Sequence, residues 1–205
     1  MDNLQLTSFK EQTTIVLMPY HLKNIQKSIQ NVIPKMIFTC RIHNSIPSIV
    51  IAVKKVSLVS EYLETFDDQP QMFIDIEYTV TLLQLHQGSL VKGRLVQQFQ
   101  SHIIVQIFNI FNVLIPEDEI NEKSFTWNEN FNAFMNRQNE ILENQIELQI
   151  KITEVILNEA DQKEFQIKGS LKDRKQTGQI GYLQNLIGDQ TKIEGIIAKS
   201  LDCIN

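Results

Sequence analysis

The chain has 205 residues, enough for one domain or two small ones, and its 42% hydrophobic, 21% charged balance is that of a folded protein. A net charge of −5 argues against a protein whose main work is gripping nucleic acid, since phosphate neutralisation supplies most of that affinity. The two cysteines, Cys40 and Cys203, lie far apart without a CxxC, which suits a reducing compartment and argues against a zinc knuckle or disulfide scaffold. No secretory signal is read at the start. The longest apolar run, residues 49–53, falls far short of the ~20 that a membrane span needs, so no membrane partner is expected.

Residues 1–12 read as a polar arm. A β-branched run at 13–18 predicts the first strand, closed by Pro19-Tyr20. From 21 to 38 apolar residues recur in steps of three and four (Leu22, Ile25, Ile29, Val32, Ile33, Met36). That spacing predicts one amphipathic helix, kinked or ended near Pro34. A short strand at 39–42, a turn cluster at 43–47 and a strand at 48–59 interrupted by Lys54-Lys55 follow. After a turn at 66–70 comes the longest strand, 72–85, with Ile74, Ile76 and Tyr78 expected on the face opposite Asp75, Glu77 and Thr79. Residues 13–87 are thus expected to form a small α+β unit, a sheet with one helix across it.

Gln87-Gly88-Ser89 reads as the seam to a second unit at 88–172. Its strand LVKGRLVQQF carries an internal glycine, Gly93, where a small barrel coils sharply and a side chain would obstruct. Then come a turn at 100–102, the strand IIVQIF and the segment NVLIPEDEI, the grammar of an S1/OB-type β-barrel. Residues 117–144 read as an insertion between the third and fourth barrel strands. Its Phe125, Trp127, Phe131 and Phe134 are expected to cover the barrel's open end. Strict alternation at 145–157, a turn at 158–161 and a strand at 164–171 complete the barrel. Residues 173–205 read as a linker and a C-terminal amphipathic helix over 191–204, where Thr191 and Glu194 have capping-box spacing.

Little here carries reaction chemistry. Asp75 and Glu77 share a strand face but lack a third ligand or a neighbouring histidine, so a solvated face is the better reading. The four histidines have no metal-site spacing, and no phosphate loop or nucleophile elbow occurs. No catalytic residue, cofactor or metal is therefore expected. A nucleic-acid reading rests on Lys92 and Arg94, which alternate along one strand face, on His102, and on the aromatics Phe99, Phe108 and Phe111. The plainer reading stands beside it: a solvated basic strand, with Phe108 and Phe111 in the core.

Three groups of residues, taken in order, resemble the larger stalk subunit of RNA polymerase I. They are Asp75 with Glu77; Gly88, Val91, Gly93, Leu95 and Val96; and Ser101-His102-Ile103 followed by Phe111-Asn112 and Ile115-Pro116. That family is paralogous to the stalk subunits of polymerases II and III and to their archaeal counterpart. The S-H-I…F-N-x-x-I-P pattern is the part particular to the polymerase I branch. The resemblance, over residues 15–171, implies a small RNP-like tip domain that docks on the polymerase core and an S1/OB barrel near emerging RNA. It also implies a smaller stalk subunit and a transcription initiation factor as partners, and work on ribosomal RNA genes in the nucleolus of the nucleus. By position it assigns docking to Pro19, Tyr20, His21 and Leu22 and to Asn44, Ser45, Ile46 and Pro47. Single-stranded RNA contact would fall to Lys92, Arg94, His102 and Phe108. The stalk subunit of polymerase III or II, and a free OB-fold single-strand-binding protein, are the alternatives.

Overall fold

A computed structural model describes residues 4–60, 62–65, 69–158, 161, 163–172, 178–179 and 184–202. Strands make up about half of the described residues and helices are few, so the protein is mostly β, with a closed five-stranded barrel.

The first sheet contains β1 (Gln5–Leu17), β2 (Cys40–His43), β3 (Ile46–Leu58), β4 (Glu64–Thr65) and β5 (Met72–Gln84), all paired antiparallel in the order β1-β5-β3-β2, with β4 also on β5. Its inner face buries Ile15, Leu17, Ile74, Ile76, Val80 and Leu82. Ile74, Ile76 and Tyr78 are buried while Asp75 is exposed and Glu77 and Thr79 are half-buried, which matches the expected register. Residues 5–12 are not an arm; they are the first part of β1. Their polar side chains fall on both faces: outside, Ser8 meets Thr81 at 2.9 Å and Lys10 meets Glu77 at 2.7 Å, while Thr7 and Glu11 stand opposite Leu82 and Tyr78 on the inner face.

The single helix expected over 21–38 is three pieces: a 3-10 turn at Pro19–Asn24, α1 (Ile25–Gln30) and α2 (Ile33–Met36). The Asn24 side chain caps α1 by accepting from the Lys27 N–H at 3.0 Å. Pro34 lies in the first turn of α2, where its missing N–H costs nothing. Ile29 still seats on the inner face of the sheet, so the apolar periodicity marks the buried side but not the breaks in the helix.

β1 and β2 are the two edges and share no backbone ladder. Their side chains nevertheless meet. Arg41 Nη1 donates to both carboxylate oxygens of Glu11 at 2.9 Å, Tyr78 donates to the same carboxylate at 2.9 Å, and the His43 ring stacks on Phe9 at 4.7 Å. The sheet is thus curled until its edges face each other.

The barrel contains β6 (Leu90–Phe99), β7 (His102–Ile107), β8 (Phe111–Pro116), β11 (Glu147–Leu157) and β12 (Phe165–Ser170). Around the barrel the order is β6-β7-β8-β12-β11 and back to β6, with β8 and β12 parallel and every other pair antiparallel. Alternate residues point inward and are fully buried, among them Leu95, Val105, Val113, Ile150 and Ile167. A Cβ on Gly93 would lie 2.9 Å from the Gln106 carbonyl oxygen, and one on Gly169 would lie 2.9 Å from Val113, so both glycines are places of close approach between strands.

The insertion forms a hairpin, β9 (Phe125–Asn128) and β10 (Ala133–Asn136). Phe125 and Phe134 are buried and Trp127 packs beside them, whereas Phe131 is 59% exposed, so three of the four expected aromatics reach the core. Gln98 ties the hairpin down, donating to the Leu142 carbonyl at 2.6 Å and accepting from the Phe134 N–H at 2.9 Å.

The C-terminal helix, α3 (Gln184–Asp202), starts before the expected Thr191, which leaves Thr191 inside the helix and not at its cap; the short β13 (Gly178–Gln179) precedes it on β11. Ile193 and Ile197 of α3 join one core cluster with Ile49 and Leu83 of the sheet and Val91 and Leu148 of the barrel. Of the expected linker at 173–190, residues 184–190 are instead the first part of α3; 173–177 and 180–183 lie outside the described residues, as do Cys203 and parts of the turns at 66–70 and 158–161.

Candidate docking and nucleic-acid surfaces

The eight residues assigned to docking fall into two groups. Pro19–Leu22 follows Leu17, which pairs with Met72 at one end of β5; the turn Asn44-Ser45 and the first two residues of β3, Ile46 and Pro47, precede Ser48, which pairs with Gln84 at the other. The strand rise puts these ends ~40 Å apart, so the two groups do not form one surface.

In the first group His21 serves the backbone: its Nδ1 accepts from the Met18 N–H at 2.9 Å. Tyr20, tilted over that ring at 4.1 Å, is 68% exposed, and Leu22 is exposed beside it. Val16, Leu58, Val59 and Tyr62, all exposed, belong to this same end of the sheet. Alternation flagged none of them, because they become neighbours only through strand pairing.

In the second group Asn44 and Ser45 both have positive φ (51° and 65°), the conformation of a two-residue hairpin turn. This loop does not project from a tip. The Leu85 N–H donates to the Pro47 carbonyl, and Ser45, Ile46 and Pro47 line a cleft of about 660 Å³ against barrel residues including Asp118, Glu154 and Lys168.

The RNA-facing residues are also divided. Lys92 and Arg94 share the outer face of β6, but Arg94 stands opposite Glu147 and Lys92 pairs with that carboxylate at 3.2 Å. The Gln190 carboxamide of α3 covers the strand at this point. It accepts from the Lys92 N–H at 3.1 Å and donates to the Lys92 carbonyl at 2.7 Å, replacing a β7 ladder that begins only at Gly93. Glu194 of α3 lines the same small cavity. The basic row is therefore balanced by carboxylates.

Phe108 does not take the RNA-facing role expected of it. It is 2% exposed, with φ +52° in the β7–β8 turn, and its ring belongs to the barrel core, where no base can stack. Phe111 is buried there too. Phe99 is the exposed aromatic of the three weighed, stacked on His102 at 4.7 Å, and His102 also contacts Ser101 Oγ at 2.9 Å. Cross-strand pairing sets Phe99, His102 and Pro116 in one row and Arg94, Gln106 and Asn112 in another, with Ile104 and Leu114 between them. Chemically this face offers a stacking pair, an apolar strip and one guanidinium.

Asp75 accepts from Thr14 Oγ1 at 2.6 Å and Glu77 pairs with Lys10, as a solvated face would have it. Among the described residues no three of His, Cys, Asp and Glu are grouped to hold a metal ion, and no helix is long and apolar enough to cross a membrane. No protein-family model matches the chain, and no curated protein matches it.

Proposed function

We propose that the protein is a non-catalytic stalk subunit of RNA polymerase I, acting in ribosomal RNA gene transcription in the nucleolus. One observation carries the reading: the residues of the polymerase I-type pattern form a single structural unit. His102 stands opposite Pro116, Ile103 opposite Ile115, and Ser101 accepts from the Glu117 N–H at 2.9 Å. Sequence separates the two halves of the pattern, and the β7–β8 hairpin joins them. The barrel order 1-2-3-5-4-1 is that of an OB-type fold, and it follows a helix-bearing antiparallel sheet that this reading takes as the RNP-like tip.

On this reading the Tyr20–Leu22 end of the sheet docks on the polymerase core. The Asn44–Pro47 cleft at the seam is left for a smaller stalk subunit or an initiation factor. The barrel face with Phe99, His102 and Arg94 lies toward nascent RNA and holds it weakly. The test is Tyr20→Asp with Leu22→Asp, two exposed positions whose change spares both cores. The variant should keep its thermal melt and lose the largest polymerase I subunits on purification. Stoichiometric retention of those subunits would overturn the tip assignment.

A further inference from the structure

A groove of about 510 Å³ lies between α1–α2 and the far end of β3, within the ~300–1,000 Å³ range of ligand sites. Ile29, Ile33, Val53 and Val56 line it, and Lys54 and Lys55 line it as well. Two consecutive strand residues normally point to opposite faces. Here the β3–β5 register shifts between Lys54 and Ser57 and Lys55 takes φ +53°, a bulge that brings both lysines to one groove. Both are exposed, and among the described residues neither ammonium has an ion-pair partner. Among the described residues no carboxylate lines the groove.

We propose that this groove docks a short acidic amphipathic segment of a partner protein, its apolar side chains on the Ile29–Val53 floor and its carboxylates on Lys54 and Lys55. Charge complementarity names the partner's sign, and the aliphatic side chains set among Gln26, Gln30 and Ser57 call for an amphipathic occupant. Among the described residues the groove has no aromatic ring on which a base could stack, which favours a peptide over RNA. Helix-in-groove recognition, with anchors three and four residues apart, is the mode such a shape serves. The inference stands whether or not the protein is a polymerase subunit.

The test uses the full chain and a fluorescein-labelled amphipathic peptide of Leu, Phe, Ala and Glu. Its controls are the same peptide with Lys for Glu and a single-stranded RNA oligonucleotide. The acidic peptide should bind saturably and move backbone amide resonances at residues 26–33 and 53–58. Lys54→Glu with Lys55→Asn should weaken it about three- to tenfold, as expected for two partly exposed ion pairs. Asn is chosen at 55 because it tolerates left-handed backbone. Lys54→Gln, at an ordinary backbone position, should show part of the loss if the double variant is unstable. Equal binding of the lysine peptide, resonance changes confined to other surfaces, or stronger perturbation of these amides by RNA would each overturn the proposal.

Discussion

The two β units solve the same problem differently. Each is a sheet curled over an apolar interior. The barrel closes with backbone ladders, β12 pairing with both β8 and β11, and so has no edge around its circumference. The first sheet closes with side chains: Arg41 on Glu11, Tyr78 on the same carboxylate, His43 on Phe9. Backbone closure is indifferent to salt and pH and is intolerant of added bulk. Side-chain closure is the reverse, because its contacts are ionisable and partly exposed.

The sharpest way to break the barrel's closure is Gly93→Val. Atoms placed against the Gln106 carbonyl and Val105 must separate β6 from β7, an overpacking cost of roughly 1–3 kcal/mol or more. The expected result is loss of the cooperative melt or a melting temperature many degrees lower; an unchanged melt would show that the strands do not approach as described.

Breaking the sheet's closure should cost less. Arg41→Met leaves Glu11 with Tyr78 alone. The side chains of Arg41 and Glu11 are 24% and 30% exposed, so the loss is discounted to about 1–2 kcal/mol. Salt should separate the two units. Wild-type stability should fall modestly between low and high ionic strength, and the Arg41→Met variant should fall less, measured by denaturant titration.

A finer probe is alkaline pH. Burial, and then the Glu11 carboxylate that its hydroxyl serves, push Tyr78 from 10.0 up to about 12; burial pushes Cys40 from 9.0 up to about 11. A raised folded-state pKa means the stabilisation is complete below the unfolded value and is lost as pH climbs through the folded one. Stability should therefore decline from about pH 9 to 12, and both groups responsible belong to the first sheet. Tyr78→Phe should cost ~1 kcal/mol at neutral pH and remove the part of the decline between pH 10 and 12. An unaltered alkaline limb would contradict the Tyr78–Glu11 contact.

The smallest effect belongs to the barrel's outer face. With Lys92 held by Glu147, RNA binding should lie in the non-specific range of ~10⁻⁴–10⁻⁶ M at physiological salt. Lys92→Ala with Arg94→Ala should change the log–log salt slope by about one unit or less. Nanomolar affinity with base preference would point to a dedicated single-strand binder.

How legible each unit was follows from the same contrast. The barrel was readable because its strands alternate strictly and because Gly93 marks the place where a side chain cannot fit. The order sheet, seam and barrel was readable for the same reason. The sheet's closure was not, since Glu11, Arg41 and Tyr78 meet across long stretches of chain and no local pattern links them. The start of β1 was hidden because residues 5–12 place polar side chains on both faces and so lack the alternation that marks a strand. Asn24 before Ile25 was an available cap signal that splits the helix. At the candidate surfaces Tyr20 was legible as a turn residue, whereas Leu22, counted with the apolar face of the expected helix, is exposed in the 3-10 turn. Phe108 was not, because whether a turn phenylalanine points in or out depends on a backbone angle that composition does not carry. Nor was Glu147, because its position opposite Arg94 is set by the register between β6 and β11 across the barrel.

The most direct test of the stalk assignment is to tag the wild-type protein in its own cells, purify it at moderate salt and quantify what accompanies it. The account predicts the two largest subunits of RNA polymerase I at near-equal molar amounts. Purification without any large polymerase subunit, or with those of polymerase II or III in their place, would contradict it.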